Sequence, residues 1–184
     1  MAIQPVLRLG NPKLREVAEK YPVGEIGNTN FFALLEDLKD TLQHQGGIGL
    51  AATQIGVSQR VAIIDIPGGP TRYGDLDTMP LTVFVNPEIE ILDPEVAGYW
   101  EGCLSVPGLR GYVERPQHIM VRYLDETATP QALELTGFPA TVFQHEFDHL
   151  DGRLYIDHII DNSLLSFEEE FEQFIAPGLQ APQE

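Results

Sequence analysis

The stretch FQHEFDHLDGRLY, residues 143–155, contains the pattern on which both the predicted fold and the predicted chemistry of this chain depend. Within it, His145 and His149 lie four positions apart, and Glu146 follows the first histidine directly. Residues four apart lie on one face of a helix, so the two imidazoles can bind a common ion. Glu146 is rotated away from that face and can reach a water on the ion, as in HExxH motifs. A catalytic metal site of this kind needs a third protein ligand.

The residues around the motif predict a buried helix from about 138 to 151. Gly137 and Pro139 mark its start and Gly152 its end. Apolar side chains occur on several of its faces, namely Phe138, Val142, Phe143, Phe147 and Leu150. Two imidazoles and a carboxylate are unfavourable in such surroundings unless a bound ion or hydrogen bonds satisfy them. HExxH also occurs by chance, so the motif alone leaves open a structural helix with two incidental histidines.

Three parts of the chain could supply the third ligand. Some metalloproteases carry HExxHxxGxxH, but the last position of that pattern is Tyr155 here, and a phenol is a poor ligand. Thermolysin-like proteases use a glutamate further downstream, where this chain has Glu168, Glu169 and Glu170. Cys103, the only cysteine, offers a thiolate that suits a divalent transition metal, although a lone cysteine is often a small buried hydrophobe. The residues alone leave the cysteine and the glutamates open.

Composition restricts the possible class of protein. The chain has 184 residues, of which 43% are hydrophobic and 21% charged, as expected for a soluble globular domain. Its formal net charge of −17 repels phosphate backbones and anionic lipid, so neither nucleic acid nor a membrane is an expected partner. There is no apolar run of spanning length and no secretory signal pattern, so we expect a cytoplasmic protein. A single cysteine excludes an intramolecular disulfide.

Apolar spacing and turn residues predict the elements before the motif helix. Helices are expected from Asn11, which is followed by Pro12, and from about 28 to 45. The expected strands cover 60–66, 82–92, 111–116, 118–125 and 131–137, with turns between them. Residues 67–80 are rich in Pro and Gly and are longer than most connections, so a functional or mobile loop is expected there.

A last helix is expected after Asn162, with Ser166 and Glu169 as a possible capping box. Its apolar stripe consists of Leu164, Phe167, Phe171 and Phe174. An exposed stripe of this kind favours aggregation, so we expect it to pack on the protein's own body. The predicted organisation is a single catalytic domain over 1–176 and a loose tail over 177–184.

Two further stretches suggest contact with a ligand. GGIGLAATQIG, residues 46–56, predicts a tight loop that brings its backbone and Gln54 near a ligand. Its weak similarity to a dinucleotide fingerprint is rejected, because it follows a helix and precedes a strand, the reverse of the required order. In YWEGCLSVPGLRG, residues 99–111, Gly102 precedes Cys103 and lets the backbone approach a site closely.

Taken together, three segments resemble the motifs of the peptide deformylase family, in the same order. They are GIGLAATQ (47–54), EGCLS (101–105) and QHEFDH (144–149), and the resemblance covers about residues 3–160. It implies an α+β fold, with antiparallel β-sheets around a central helix that carries HExxH and with additional N- and C-terminal helices. It also implies a bacterial-type cytoplasmic hydrolase that removes the N-formyl group from the N-terminal methionine of newly made proteins and releases formate.

The resemblance assigns roles to individual residues. The implied metal ligands are Cys103, His145 and His149. They would hold one divalent metal per chain, Fe²⁺ in the cell and Zn²⁺ or Ni²⁺ in purified protein. Glu146 would be the catalytic acid–base, and Gln54 with the backbone N–H of Leu104 would stabilise the oxyanion. The basic C-terminal helix that docks some family members on the ribosome is acidic here, so that docking is not expected.

The implied partner is an N-formylmethionyl peptide or nascent chain, and the sequence does not indicate an oligomeric state. The candidates for an apolar pocket around the methionine side chain are Ile48, Gly49, Tyr99, Phe138 and Val142. Ordinary core packing explains their spacing equally well. Glu101 and Arg115 are expected to pair behind the cysteine loop, unless they form an exposed ion pair of little worth. A thermolysin-like metallopeptidase and a non-enzymatic binding module are the alternative functions.

Overall fold

Long antiparallel strands form the framework of the protein. The computed structural model describes residues 3–71 and 74–179. The strands are β1 (Gly49–Ala51), β2 (Val61–Ile66), β3 (Gly69–Thr71), β4 (Gly74–Leu76), β5 (Met79–Cys103), β6 (Val106–Leu124), β7 (Pro130–Thr136) and β8 (Leu165–Phe167). The helices are α1 (Thr29–Gln45), α2 (Phe138–Asp148), α3 (Glu168–Glu170) and α4 (Ala176–Leu179), with a π-helical turn (Phe171–Ile175) between the last two.

The main sheet has the order β1-β2-β5-β6-β7, β8 also pairs with β6, and β3 and β4 form a separate hairpin. The predicted α+β class with antiparallel sheets is confirmed.

Strand β2 is apolar along most of its length because helices cover both faces of the sheet. Ala62 and Ile64 belong to the core shared with α2, whereas Val61 and Ile63 belong to the core shared with α1. All four side chains are fully buried. Successive strand residues point to opposite faces, so a strand between two helices needs apolar residues at consecutive positions.

The motif helix α2 is buried against the sheet, as predicted. Phe143 and Phe147 pack on Phe84 of β5, with ring centroids 5.1 and 5.6 Å apart respectively. After Asp148 the helix tightens into a 3-10 turn, His149–Asp151, and Gly152 ends it in the left-handed conformation. The predicted span of 138–151 is therefore helical throughout, with a tighter last turn.

Asparagine side chains cap both N-terminal elements. The side chain of Asn28 accepts a hydrogen bond from the Phe31 N–H at the start of α1, and Gly46 ends α1 with a left-handed backbone. Asn11 caps its element in the same way, but only a 3-10 turn, Pro12–Arg15, follows it. Side-chain acceptors satisfy the free N–H groups of a first turn whether or not a longer helix follows.

The strands predicted between 82 and 125 merge into one long hairpin of β5 and β6. The turn expected before residue 118 is absent, because Pro116 stays within β6 opposite Val96. The pairing shifts register beside Val96, and such an irregularity accommodates a residue that cannot donate to the ladder. The hairpin closes at Cys103 and Val106, so Leu104 and Ser105 form its turn.

The predicted C-terminal helix begins later than expected. Leu165–Phe167 form strand β8, which pairs with Leu109–Gly111 of β6. Long-range pairing has overridden local helical spacing there. The hydroxyl of Ser166 donates to the Phe167 carbonyl, and Phe167 takes the N-cap position without a side-chain cap, so the predicted capping box with Glu169 does not form.

The apolar stripe of this segment is divided between core and solvent. Phe171 is buried and packs on Trp100, with ring centroids 5.1 Å apart, so the expected packing on the body is confirmed for that residue. Phe167 and Phe174, by contrast, are 67% and 70% exposed, contrary to that expectation. Conversion of Leu165–Phe167 to a strand destroys the common helical face that the spacing predicts.

Residues 177–179 of the predicted tail lie in α4, and 180–184 lie outside the described residues. The predicted loop 67–80 contains the β3–β4 hairpin. Across residues 3–71 and 74–179, the structure contains no helix that is both long and apolar enough to span a membrane.

We expect Gly152→Ala to lower the free energy of unfolding far more than Gly46→Ala. Both glycines have a left-handed backbone, with φ of 70° and 73°. A Cβ at residue 46 would meet open space, whereas one at residue 152 would lie 2.6 Å from the Arg15 carbonyl oxygen. Backbone strain alone predicts a loss of about 1 kcal/mol for Gly46→Ala, and overpacking adds about 1–3 kcal/mol for Gly152→Ala.

Urea unfolding of both variants and the parent protein measures these losses. Equal losses in the two variants would show that the N-terminal segment moves aside without strain.

Candidate metal centre and substrate cleft

Three side chains from two parts of the chain converge at one point. Cys103 ends β5, His145 lies in α2, and His149 begins the following 3-10 turn. Their donor atoms all lie within 4.8 Å of one another. Cys103 Sγ is 3.3 Å from His149 Nε2. This candidate group contains Cys103 and none of the glutamates at 168–170.

The donor set fits a divalent transition metal, because one thiolate and two imidazoles are ligands such ions prefer. Burial raises the pKa of the Cys103 thiol, but the charges and hydrogen bonds of His149 and His145 outweigh burial and hold that pKa well below its usual value. The thiolate is the form of cysteine that binds metals. Together these three side chains can hold one ion.

A buried ion pair lies behind the two histidines. Glu101 Oε2 is 2.6 Å from His145 Nδ1, and Arg115 binds the same carboxylate through Nε and Nη2, at 2.7 and 3.2 Å. Arg115 Nη1 also donates to Asp148, at 2.7 Å. The Glu101 and Arg115 side chains are each 4% exposed, so the predicted pair is buried rather than exposed. Glu101 occupies Nδ1 of His145 and leaves its Nε2 for the metal centre.

Glu146, the predicted acid–base group, lies in the cleft next to His145. Its side chain lines the cleft, and its buried Oε2 has no hydrogen-bond partner among the described residues. Burial raises the pKa of this carboxyl above its ordinary value, although His145 and His149 act in the opposite direction. Gly49 makes room for it, because a Cβ at that position would lie 2.4 Å from Glu146 Cδ.

Gln54 is oriented by its own loop. Its Oε1 accepts a hydrogen bond from the Ala51 N–H at 2.8 Å. Its Nε2 therefore points away from that loop, where it donates to Ser105 Oγ at 3.2 Å and lies 3.7 Å from Cys103 Sγ. Leu104, in the hairpin turn, lines the same cleft. Both residues predicted to supply oxyanion donors thus line the same cleft as Cys103.

The N-terminal segment connects the two loops that carry these donors. The Leu7 N–H donates to the Gln54 carbonyl, and the Leu9 N–H donates to the Ser105 carbonyl, both at 2.8 Å. Alternate N–H groups of an extended segment point to the same side, so one short stretch can bind both loops. The separation of the Gln54 loop from the cysteine hairpin is fixed by this bridge.

The cleft has a volume of about 1150 Å³. Of the predicted pocket residues, four line it, namely Ile48, Gly49, Phe138 and Val142. Tyr99 is placed differently: its ring packs on Phe138, with centroids 5.1 Å apart, and supports the pocket wall from behind. Parts of the 67–80 segment also line the cleft, including Pro70 and Leu76, which agrees with a functional role for that loop.

Among the cleft-lining residues that the sequence did not indicate are Trp100 and Arg110, and the sequence did not place Glu168 in the cleft wall. Arg110 Nη2 donates to Glu168 Oε1 at 2.5 Å, across 58 positions of the chain. No local pattern indicates such a contact. Trp100 lies directly before the EGCLS segment, and that proximity is the only signal that could have suggested it.

Comparisons with known proteins agree with the site. The family model described as polypeptide deformylase matches residues 3–164. A peptide deformylase of Leptospira biflexa is 40% identical over 172 residues, which are 94% of this chain and 96% of that protein. One from Cellvibrio japonicus is 45% identical over 159 residues, 86% of this chain and 88% of that protein.

Among solved structures, a class I type b peptide deformylase from Acinetobacter baumannii, with Met-Ala-Ser bound, has a TM-score of 0.80 and 36% identity. The match covers 86% of this chain and 99% of that one. These matches extend over the Cys103 hairpin and the His145 helix alike, and they leave the thermolysin-like alternative unsupported. Its sequence and its fold both show that the chain belongs to the polypeptide deformylase family.

Proposed function

We propose that Cys103, His145, His149 and Glu146 together carry out the removal of the N-formyl group from the N-terminal methionine of newly made proteins. One observation carries this assignment: the unpartnered carboxylate oxygen of Glu146 lies beside the three convergent donors, in an open cleft. The Met-Ala-Ser peptide in the Acinetobacter relative begins with methionine, which supports a peptide of that kind as the product here.

One divalent metal per chain is proposed at Cys103, His145 and His149, with Fe²⁺ as the ion in the cell and Zn²⁺ or Ni²⁺ in purified protein. When bound, such an ion lowers the pKa of water and polarises a carbonyl oxygen. Glu101 contributes indirectly, because its hydrogen bond fixes the orientation of the His145 ring.

Glu146 is the proposed proton carrier. As general base it accepts a proton from the attacking water, whose oxygen bonds to the formyl carbon. As general acid it then delivers that proton to the nitrogen as the C–N bond breaks, which yields formate and a free α-amine. A carboxyl whose pKa is raised by burial suits both roles, because its pKa lies closer to neutral pH.

Negative charge develops on the formyl oxygen during this attack. The Gln54 amide and the Leu104 N–H are the proposed donors to it. The Ala51 N–H holds the Gln54 side chain in place before the substrate arrives, so little reorganisation is needed. Loss of one such donor typically removes ~3 kcal/mol of transition-state stabilisation.

The methionine side chain is proposed to lie against Ile48, Phe138 and Val142, whose apolar surfaces line the cleft. Gly49 has a second proposed role, because its missing side chain leaves space for the Glu146 carboxylate. The thermolysin-like alternative required a glutamate from 168–170 at the metal, but Glu168 is paired with Arg110 in the cleft wall.

Glu146→Gln should retain the metal and lose turnover by at least ~100-fold, because a neutral amide can neither accept nor deliver the proton. Formate release from a formyl-Met peptide and elemental metal analysis of the same sample test this. Near-normal turnover would rule out Glu146 as the proton carrier.

Cys103→Ala should abolish tight metal binding, because only the two imidazoles remain. Cys103→Asp, which keeps an anionic donor, should hold metal weakly. Metal content after dialysis distinguishes them, and one tightly bound metal in Cys103→Ala would place the third ligand elsewhere.

Gly49→Ala should reduce kcat by at least ~10-fold while the protein stays folded, since the new methyl group would displace the Glu146 carboxylate. Gly47→Ala is the matched control, because the atoms nearest to a Cβ there are the movable ends of Leu104 and Leu42, at 3.1 and 3.2 Å, and the Gly49 carbonyl oxygen lies at an ordinary contact distance of 3.6 Å. Equal kinetic losses in the two variants would show that Gly49 has no particular relation to Glu146.

A further inference from the structure

The ion pair between Arg110 and Glu168 forms part of the cleft wall. Both residues line the cleft, and their side chains are 29% and 45% exposed respectively, so solvent and ligand can reach the carboxylate. Strand β8 determines this position: Ser166 pairs opposite Arg110 of β6, and Glu168 follows two residues later, directly after the strand ends, where its carboxylate reaches the guanidinium. A residue that sequence reasoning considered as a metal ligand therefore faces the substrate cleft.

The pair lies close to the metal centre. A Cβ on Gly102 would fall 2.3 Å from Arg110 Nη1 and 2.8 Å from Cζ, so the guanidinium packs directly on the backbone beside Cys103. The Nε of Arg110 is buried and has no hydrogen-bond partner in the described parts of the chain. Glu168 is thus the acidic side chain that the structure shows balancing this charge.

The cleft is larger than formyl-methionine requires. Its volume of about 1150 Å³ exceeds the range of roughly 300–1,000 Å³ that is usual for small-molecule pockets. The cleft therefore has room for residues that follow methionine in a peptide. A charged pair in the wall, next to the cysteine hairpin, lies within reach of their side chains.

We propose that Arg110 and Glu168 determine which charged residues are accepted at the two positions after formyl-methionine, an inference that rests on the proposed function. In the parent protein the carboxylate neutralises the guanidinium, so the wall discriminates weakly between acidic and basic residues. Loss of Glu168 leaves a cation that favours acidic residues, and loss of Arg110 leaves an anion that favours basic ones.

Other charges in the cleft do not change this comparison. Glu101 is paired with Arg115 and His145, and Arg8 is exposed on the lining. Each is identical in every variant, so its contribution cancels when one variant's preference is compared with another's.

The test compares kcat/KM for formate release from formyl-Met peptides that carry Asp or Lys at the second or third position. The readout is the ratio of acidic to basic substrate, measured for the parent protein, Glu168→Gln, Arg110→Gln and the control Glu169→Gln. Glutamine is nearly isosteric with glutamate, so Glu168→Gln removes charge with little change of shape. Glu169 is the neighbouring exposed acid and provides the same charge change outside the lining.

We expect Glu168→Gln to raise the ratio about threefold to tenfold at one or both positions, the scale of a partly exposed charge interaction. Arg110→Gln should lower it, and Glu169→Gln should leave it within about twofold. The shift should shrink as salt is raised, since ions screen exposed charges.

An unchanged ratio of acidic to basic substrate in Glu168→Gln, at parental metal content, would overturn the inference. This holds even if the variant were less stable, because the ion pair would then contribute only to stability. Absence of formate release by the metal-loaded parent protein from every peptide would instead overturn the proposed function. The two failures are therefore distinguishable within one set of measurements.

Discussion

One buried carboxylate, Glu101, connects the sheet to the helix that carries the two histidines of the candidate metal site. It belongs to β5, is hydrogen-bonded to His145 of α2, and pairs with Arg115 of β6. Removing one partner of such a buried pair typically costs about 3–5 kcal/mol, because the other charge is left without compensation. Arg115 extends the connection to Asp148 at the end of α2. The position of the HExxH helix on the sheet and the orientation of its first histidine are thus fixed by the same few contacts.

Features with a local physical cause could be predicted from the sequence. The spacing of His145 and His149 on one helix, the cap at Asn11 and the helix end at Gly152 each depend on neighbouring residues, and all were found where expected. The third metal-site position was different, because local chemistry permitted Cys103 as well as a downstream glutamate. Only the resemblance of three separated motifs favoured the cysteine, and the hairpin of β5 and β6 is what carries it to the helix.

Features that depend on distant pairing could not be predicted. Strand β8 has the apolar spacing of a helix, but hydrogen bonds to β6 determine its conformation. The same pairing exposes Phe167 and brings Glu168 to Arg110. Tyr99 shows a related difficulty, because an aromatic residue near a site can line the pocket or support it from behind, and sequence alone does not distinguish these positions. In each case the decisive partner lies tens of residues away.

The bridge from the N-terminal segment to the site also bears on how the protein itself is synthesised. Leu9 binds the cysteine hairpin at Ser105, and Thr53 binds the carbonyl of His149 across 96 positions. Contacts between such distant residues form slowly and only after both partners have left the ribosome. A nascent chain that ends before residue 145 has the thiol but neither imidazole. The three donor side chains can therefore meet only after most of the chain has been synthesised, so a nascent copy lacks the complete site.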